Sequence, residues 1–179
     1  MHVRRVVTGH DAAGKAVIVS DSAAPRAREG VHHPGFAEAL LWATDATPDV
    51  PHRAGDPTPH VTNFMPGPGG TRFVIVTFPP DSVAILPDFN GAKAHEEHVK
   101  GSPGIADRMD PNNPGMHSTD TVDYIIVLDG EVWLELDDGK QVLLKSRDVV
   151  IQNGTRHAWR NKTDRGVTIA GILIGAYRK

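Results

Sequence analysis

The sequence predicts an all-β domain whose short antiparallel strands close into a barrel or sandwich. Apolar runs along the 179 residues are short and rich in β-branched side chains, and Gly and Pro (18 and 14 residues) punctuate them. The strongest turn signals, Asp129-Gly130 and Asp137-Asp138-Gly139, separate runs that alternate apolar and polar residues. One segment, residues 88–116, interrupts the pattern.

The elements follow in order. Residues 3–8 and 16–20 flank the turn sequence HDAAGK and read as an opening hairpin. Residues 39–44 read as a strand. Residues 45–70, dense in Pro, Asp, His and Gly, read as a long surface loop, because Pro cannot donate to a central ladder. Residues 71–78 (TRFVIVTF) form a strand that PPD ends. AKAHEEHVKG carries helix formers and a terminal Gly, which predicts a short helix near residues 92–100. Residues 123–128, 131–136, 141–145, 148–152, 157–161 and 167–174 are six further strands. The whole chain reads as one domain, residues 1–179. It has N-terminal strands and a Pro-rich loop in 1–70, and a core barrel in 71–176 that contains the 88–116 insertion.

Composition narrows the function. A net charge of −3 offers no basic footprint for nucleic acid or an acidic membrane surface. No apolar run reaches the length of a membrane span, and the N-terminal MHVRRVVTGHD lacks the apolar core of a signal peptide, so a cytoplasmic location is expected. With no cysteine, disulfides, thiolate metal sites and Cys nucleophiles are excluded.

The ten histidines carry the site argument. Residues two apart on a strand share a face, so His117, Thr119 and, with regular pairing, Asp123 point one way. Thr155, His157 and Trp159 share a face of a later strand, and in a small barrel that face is the interior. Two His and one carboxylate converging from two strands match the donor set of a non-haem iron triad, and equally suit Zn or Mn. Read alone, either His could be a buried polar residue, and Asp123 could cap a turn or pair with Arg156. His95 and His98 in HEEH are spaced i, i+3, not as a zincin pair, and read as a solvated helix face. His52 and His60 read as loop residues. Gly154 and Asn161 read as structural, one at a turn and one at a strand end. Trp133, out of phase with Val132 and Leu134, is expected outside the barrel, which suits a subunit interface. Tyr124 is expected to pack outside as well.

PGMHSTDTVDYIIVLDG and QNGTRHAWRN together resemble the two motifs of the cupin superfamily. His117, Thr119, Asp123 and Gly130 occupy the positions of the first motif, and Gln152, Gly154, His157 and Asn161 those of the second. The resemblance covers residues 71–176. It departs from the family pattern where Thr119 replaces a His, Asp123 a Glu and Gln152 a Pro. It implies a cupin-type antiparallel β-barrel (a double-stranded β-helix or jelly roll), and homodimers formed through N-terminal strands.

Three functions remain open. The first is a metal-dependent enzyme acting on a small organic substrate, as an oxygenase or as a lyase, decarboxylase or dehydratase. In it a divalent Fe, Mn or Zn is held by His117, Asp123 and His157, and Thr119, Thr155 and Trp159 line the substrate pocket. The second is a metal-free isomerase or dehydratase in which His117 or His157 is the acid–base group and Asp123 orients it. The third is a binding module without chemistry. The 88–116 segment, which runs directly into His117, is expected to border the barrel mouth.

Overall fold

A computed structural model describes residues 1–52 and 54–179. Eleven strands and one α-helix are found among them. In chain order they are β1 (Arg4–His10), β2 (Ala16–Ala23), β3 (Arg26–Glu29), β4 (Ala37–Thr44), β5 (Thr71–Phe78), α1 (Gly91–Gly101), β6 (Thr121–Asp129), β7 (Glu131–Glu135), β8 (Gln141–Lys145), β9 (Val149–Asn153), β10 (Ala158–Arg160) and β11 (Val167–Gly175). Every strand pair is antiparallel. A six-stranded sheet has the order β3-β4-β5-β11-β6-β9, a three-stranded sheet the order β10-β7-β8, and β1-β2 form a separate ribbon.

The core lies between the two larger sheets. Val132 and Leu134 of β7 and Leu144 of β8 meet Ile125 and Val127 of β6 and Val167 and Ile169 of β11. Val132 and Val167 are completely buried. Full burial of such a side chain contributes about 1.5–3 kcal/mol. The β6–β7 turn needs Gly130, which has φ 85° and whose missing Cβ would meet the backbone of Val167 at 3.1 Å. A second apolar group, Leu40, Phe64, Val74 and Leu173, closes the β4–β5 side.

The interior changes character along β6. Its inward residues run Thr121, Asp123, Ile125 and Val127, so the interior is polar at one end of this strand and apolar at the other. The isolated bridge between His117 and His157 brings two imidazoles into the structure just before β6 and β10 begin.

Three expectations change. β3 was not anticipated, because RARE carries no apolar run, and its ladder to β4 forms through backbone groups. Residues 45–70 are not purely a surface loop. Phe64 is 3% exposed and Thr58 completely buried, because Phe64 completes the apolar group around Leu40. The HEEH helix is not wholly solvated. His98 is half-buried, with its ring 4.3 Å from that of Phe36 and 5.2 Å from that of His33.

The insertion divides into two parts. α1 is fastened to the turn before β4. There the Glu97 carboxylate accepts from the amides of Val31 and His32 at 2.7 and 2.8 Å, and Ser102 Oγ donates to the buried Glu38 carboxylate. Residues 105–116 then return to the barrel. Ile105 packs on the Leu40 group, and Met109 bridges to His117.

Candidate functional site

His117 and His157 are joined by two backbone hydrogen bonds of 2.9 Å, each residue donating to the other. Their rings lie 4.4 Å apart at 49°. Each imidazole is held by the carbonyl two residues before it. His117 Nδ1 is 2.9 Å from the Gly115 oxygen, and His157 Nδ1 is 3.0 Å from the Thr155 oxygen. A carbonyl only accepts, so both rings carry their proton on Nδ1 and leave Nε2 as a bare acceptor. Burial keeps both rings neutral. It lowers His117 from its ordinary value, and with His117 alongside it pushes His157 down to about 4.

Asp123 faces the same polar end of the interior and is 5% exposed. It pairs across the sheet with Gln152 on β9. Its Oδ1 has no hydrogen-bond partner among the described residues. Burial raises its carboxyl to about 6, and the Thr121 hydroxyl offsets this only in part. Asp123 does not orient either imidazole; the two backbone carbonyls do. Nor does it pair with Arg156, which binds Asp110 at 2.6 Å and Asp137 at 3.0 Å.

The remaining sequence candidates fall as follows. Thr119 is 2% exposed and accepts from the Thr121 hydroxyl at 2.8 Å. Thr155 is exposed. Its side chain does not share the buried face of His157, because the turn through Gly154 (φ 62°) breaks the strand alternation before His157. Trp159 is half-buried, 5.7 Å edge-on to His157, and packs on the main core. Asn161 is 1% exposed and donates to the carbonyls of Phe78 and Arg165, as a structural residue would. Tyr124 is 45% exposed, and Trp133 lies under the Lys162 ammonium.

A divalent ion would have to draw on these donors. His117 and His157 offer two free nitrogens, and Asp123 an unpartnered oxygen. Among the described residues, however, no three His, Asp or Glu side chains are grouped closely enough to hold an ion. Thr119 stands where a third imidazole would be needed. The donors as placed do not complete a metal site.

Two contributors were given no role at the site from the sequence. Gln152 Nε2 donates to the Thr155 hydroxyl and approaches its carbonyl at 3.4 Å, which steadies the group that holds His157. Arg160 Nη1 donates to the Pro114 carbonyl at 2.6 Å and Nη2 to Asn113 Oδ1 at 2.8 Å. The signal for Gln152 was its place at a motif position that carries Pro in the pattern. Arg160 gave none, since its partners are distant in sequence.

No family model matches the chain. The cupin-domain-containing oxidoreductase fogC of Aspergillus ruber is 26% identical over 177 residues, covering 96% of this chain and 70% of that protein. That near-complete match joins the two spaced motifs and an antiparallel double-sheet barrel bridged at His117 and His157. This is a cupin fold. The phomopsin biosynthesis cluster protein C' of Diaporthe leptostromiformis is 52% identical over 48 residues, which is 27% of this chain and 25% of that relative. The matched stretch therefore spans about a quarter of that relative's length. Among solved structures, a putative ethanolamine utilization protein Q from Salmonella typhimurium is 12% identical, with 99% of both chains covered and a TM-score of 0.43.

Proposed function

We propose that this cupin is an enzyme that transfers a proton on a small organic molecule bound at the polar end of the barrel. Asp123 is the acid–base group, and His117 and His157 are neutral acceptors that hold the substrate. The observation that carries this reading is the pair of imidazoles with both Nδ1 positions occupied by backbone and both Nε2 atoms bare. Such atoms accept from a hydroxyl or enol but cannot donate to an anion. A carboxyl near 6 is close to neutral pH, where a general base removes a proton and returns it most effectively. Isomerisation, epimerisation and dehydration next to a carbonyl fall in this class.

A second reading is favoured by one observation, the orphaned Asp123 Oδ1. An ion of Fe, Mn or Zn that drew His117, His157 and Asp123 closer together than they stand here would satisfy it and would suit the oxidoreductase name of the Aspergillus ruber relative. The two readings separate in one experiment. Protein purified without added metal is analysed for metal beside His157→Ala, and proton exchange from deuterated water into a panel of small ketones is followed by NMR. The first reading expects exchange that survives chelation and falls about 10²-fold in Asp123→Asn. Stoichiometric metal that disappears with His157, or exchange abolished by a chelator, overturns it in favour of the second.

The proposal includes assembly as a homodimer. Phe73, Ile172, Tyr124 and Ile151 stand directly opposite one another on β5, β11, β6 and β9, and three of them are more than a third exposed. Val6, Ile18 and Val19 on the β1-β2 ribbon are also exposed. Apolar surface of this extent is usual at subunit contacts. Sedimentation is expected to give twice 19.3 kDa, and a single species of 19.3 kDa at high concentration would count against the dimer.

A further inference from the structure

We infer that Arg160 is a positioning residue for His117: from the strand that follows His157, its guanidinium holds the turn whose Gly115 carbonyl fixes the His117 ring. The turn runs from Asp110 to Met116. It is closed by Asp110 N–H donating to the Met116 carbonyl at 2.7 Å, by Asn113 to Asp110 and by Met116 to Asn113. Gly115 has φ 83°, a left-handed conformation that few side chains adopt, and its oxygen accepts from His117 Nδ1. Inside the turn, one hydrogen bond restrains that peptide, from Met116 N–H to the Asn113 carbonyl at 3.0 Å. Arg160 does so from outside, through Pro114 O and Asn113 Oδ1, the two residues just before Gly115. A guanidinium is suited to this because its donors form a rigid planar fork. Glu135 fixes the fork in turn, accepting from Arg160 Nε at 2.6 Å, with both side chains four-fifths or more buried. Arg156 tethers the other end of the turn through Asp110. The two arginines bracket His157, so the strand that carries one imidazole sets the geometry of the other.

The consequence is chemical. With the Gly115 carbonyl in place, His117 Nε2 is an acceptor. With the carbonyl turned away, the proton can move to Nε2, which then becomes a donor. This inference rests on the reading above only in treating that acceptor as functional; the position of the proton is measurable without any substrate.

The test is nitrogen NMR of the imidazoles in full-length protein labelled at histidine, at one pH where the rings are neutral. The wild-type protein is expected to show His117 and His157 both protonated at Nδ1. In Arg160→Met the Nε2–H form of His117 should gain roughly three- to tenfold in population, the worth of one hydrogen bond. His157 should not change. Arg160→Lys should not restore the wild-type state, since an ammonium lacks the fork. Asn113→Ala, which removes one acceptor while leaving Arg160 and Glu135 paired, should shift His117 in the same direction and keeps the question open to measurement if Arg160→Met fails to fold. Glu135→Gln leaves the contacts to the turn and should give a smaller effect. Gln152→Met should move His157 and not His117. The inference is overturned if His117 keeps its wild-type tautomer in a folded Arg160 or Asn113 variant. It is overturned equally if Gln152→Met shifts His117 as much as Arg160→Met does, since the effect would then be general loosening. A wild-type His117 protonated at Nε2 would overturn both this inference and the acceptor reading, whereas unchanged tautomers with intact proton exchange would overturn this one alone.

Discussion

At the scale of single residues, Asp123 sets a cost that function explains better than stability does. Its folded carboxyl titrates near 6, against 3.8 unperturbed. A raised carboxyl contributes stability below its unfolded value and loses it as pH climbs through the folded one. Between pH 3.8 and about 6 the folded protein therefore gives up about 3 kcal/mol relative to a neutral side chain of the same shape. Asp123→Asn is expected to melt higher than the wild type at pH 8, with the gain shrinking to nothing below pH 4. Melting curves at the two pH values check this, and equal gains at both would show that the charge is not the cause. Motif spacing and strand alternation are local properties, and they were enough to single out Asp123, His117 and His157 as candidates. They did not show that backbone carbonyls rather than Asp123 orient the imidazoles. That depends on the Gly115 and Gly154 turns, and on Arg160 reaching back to Asn113 across 47 positions.

At the scale of elements, most strands were legible because alternation and β-branching report a half-buried pleat. β6 and β7 show this best, with inward Ile125, Val127, Val132 and Leu134 each out of phase with a polar or exposed neighbour. β3 was not legible, since Ala27 is its only apolar residue, and neither was the core role of Phe64. The insertion at 88–116 was legible as a helix followed by a Pro- and Gly-rich return, but not in its two attachments. α1 is held through Glu97, His98 and Ser102 to residues 31–38, and only residues 105–116 meet the site. Shortening the chain between Gly91 and Gly104 should therefore lower stability, because it uncovers Phe36 and removes the Ser102 hydroxyl from buried Glu38. Ser102→Ala alone is expected to cost about 1–3 kcal/mol, as for a buried acceptor that loses a partner. Denaturant titration checks it, and an unchanged midpoint would mean that Arg28, which donates to Glu38 at 2.7 Å, suffices without Ser102.

At the scale of the whole molecule, the buried imidazoles make the fold sensitive to acid from two places at once. His157 at the polar end of the barrel and His98 on α1 are both pushed down to about 4 by burial, the first beside His117 and the second beside His33. His117 and His33 are lowered as well. A histidine with a depressed folded value contributes stability above its unfolded value of 6.5 and loses it as pH falls through the folded one. Each of the two then withdraws about 3 kcal/mol between pH 6.5 and 4. Asp123 works in the opposite direction over nearly the same window, returning about as much as one histidine removes. The balance is a net loss on acidification, on a scale that matters for a domain whose total stability is about 5–15 kcal/mol. The two histidines sit in different parts of the fold, so their contributions should separate. Replacing His98 with Gln should make the protein less sensitive between pH 6.5 and 4 while leaving the His117 and His157 tautomers unchanged. His157→Gln should reduce the sensitivity by a similar amount and remove the acceptor at the site. Unfolding free energies measured at intervals from pH 7.5 to 4 give the slopes directly. A wild-type protein equally stable across that range would mean that the imidazoles become solvated before they are protonated, and the acid sensitivity argued from their burial would be wrong.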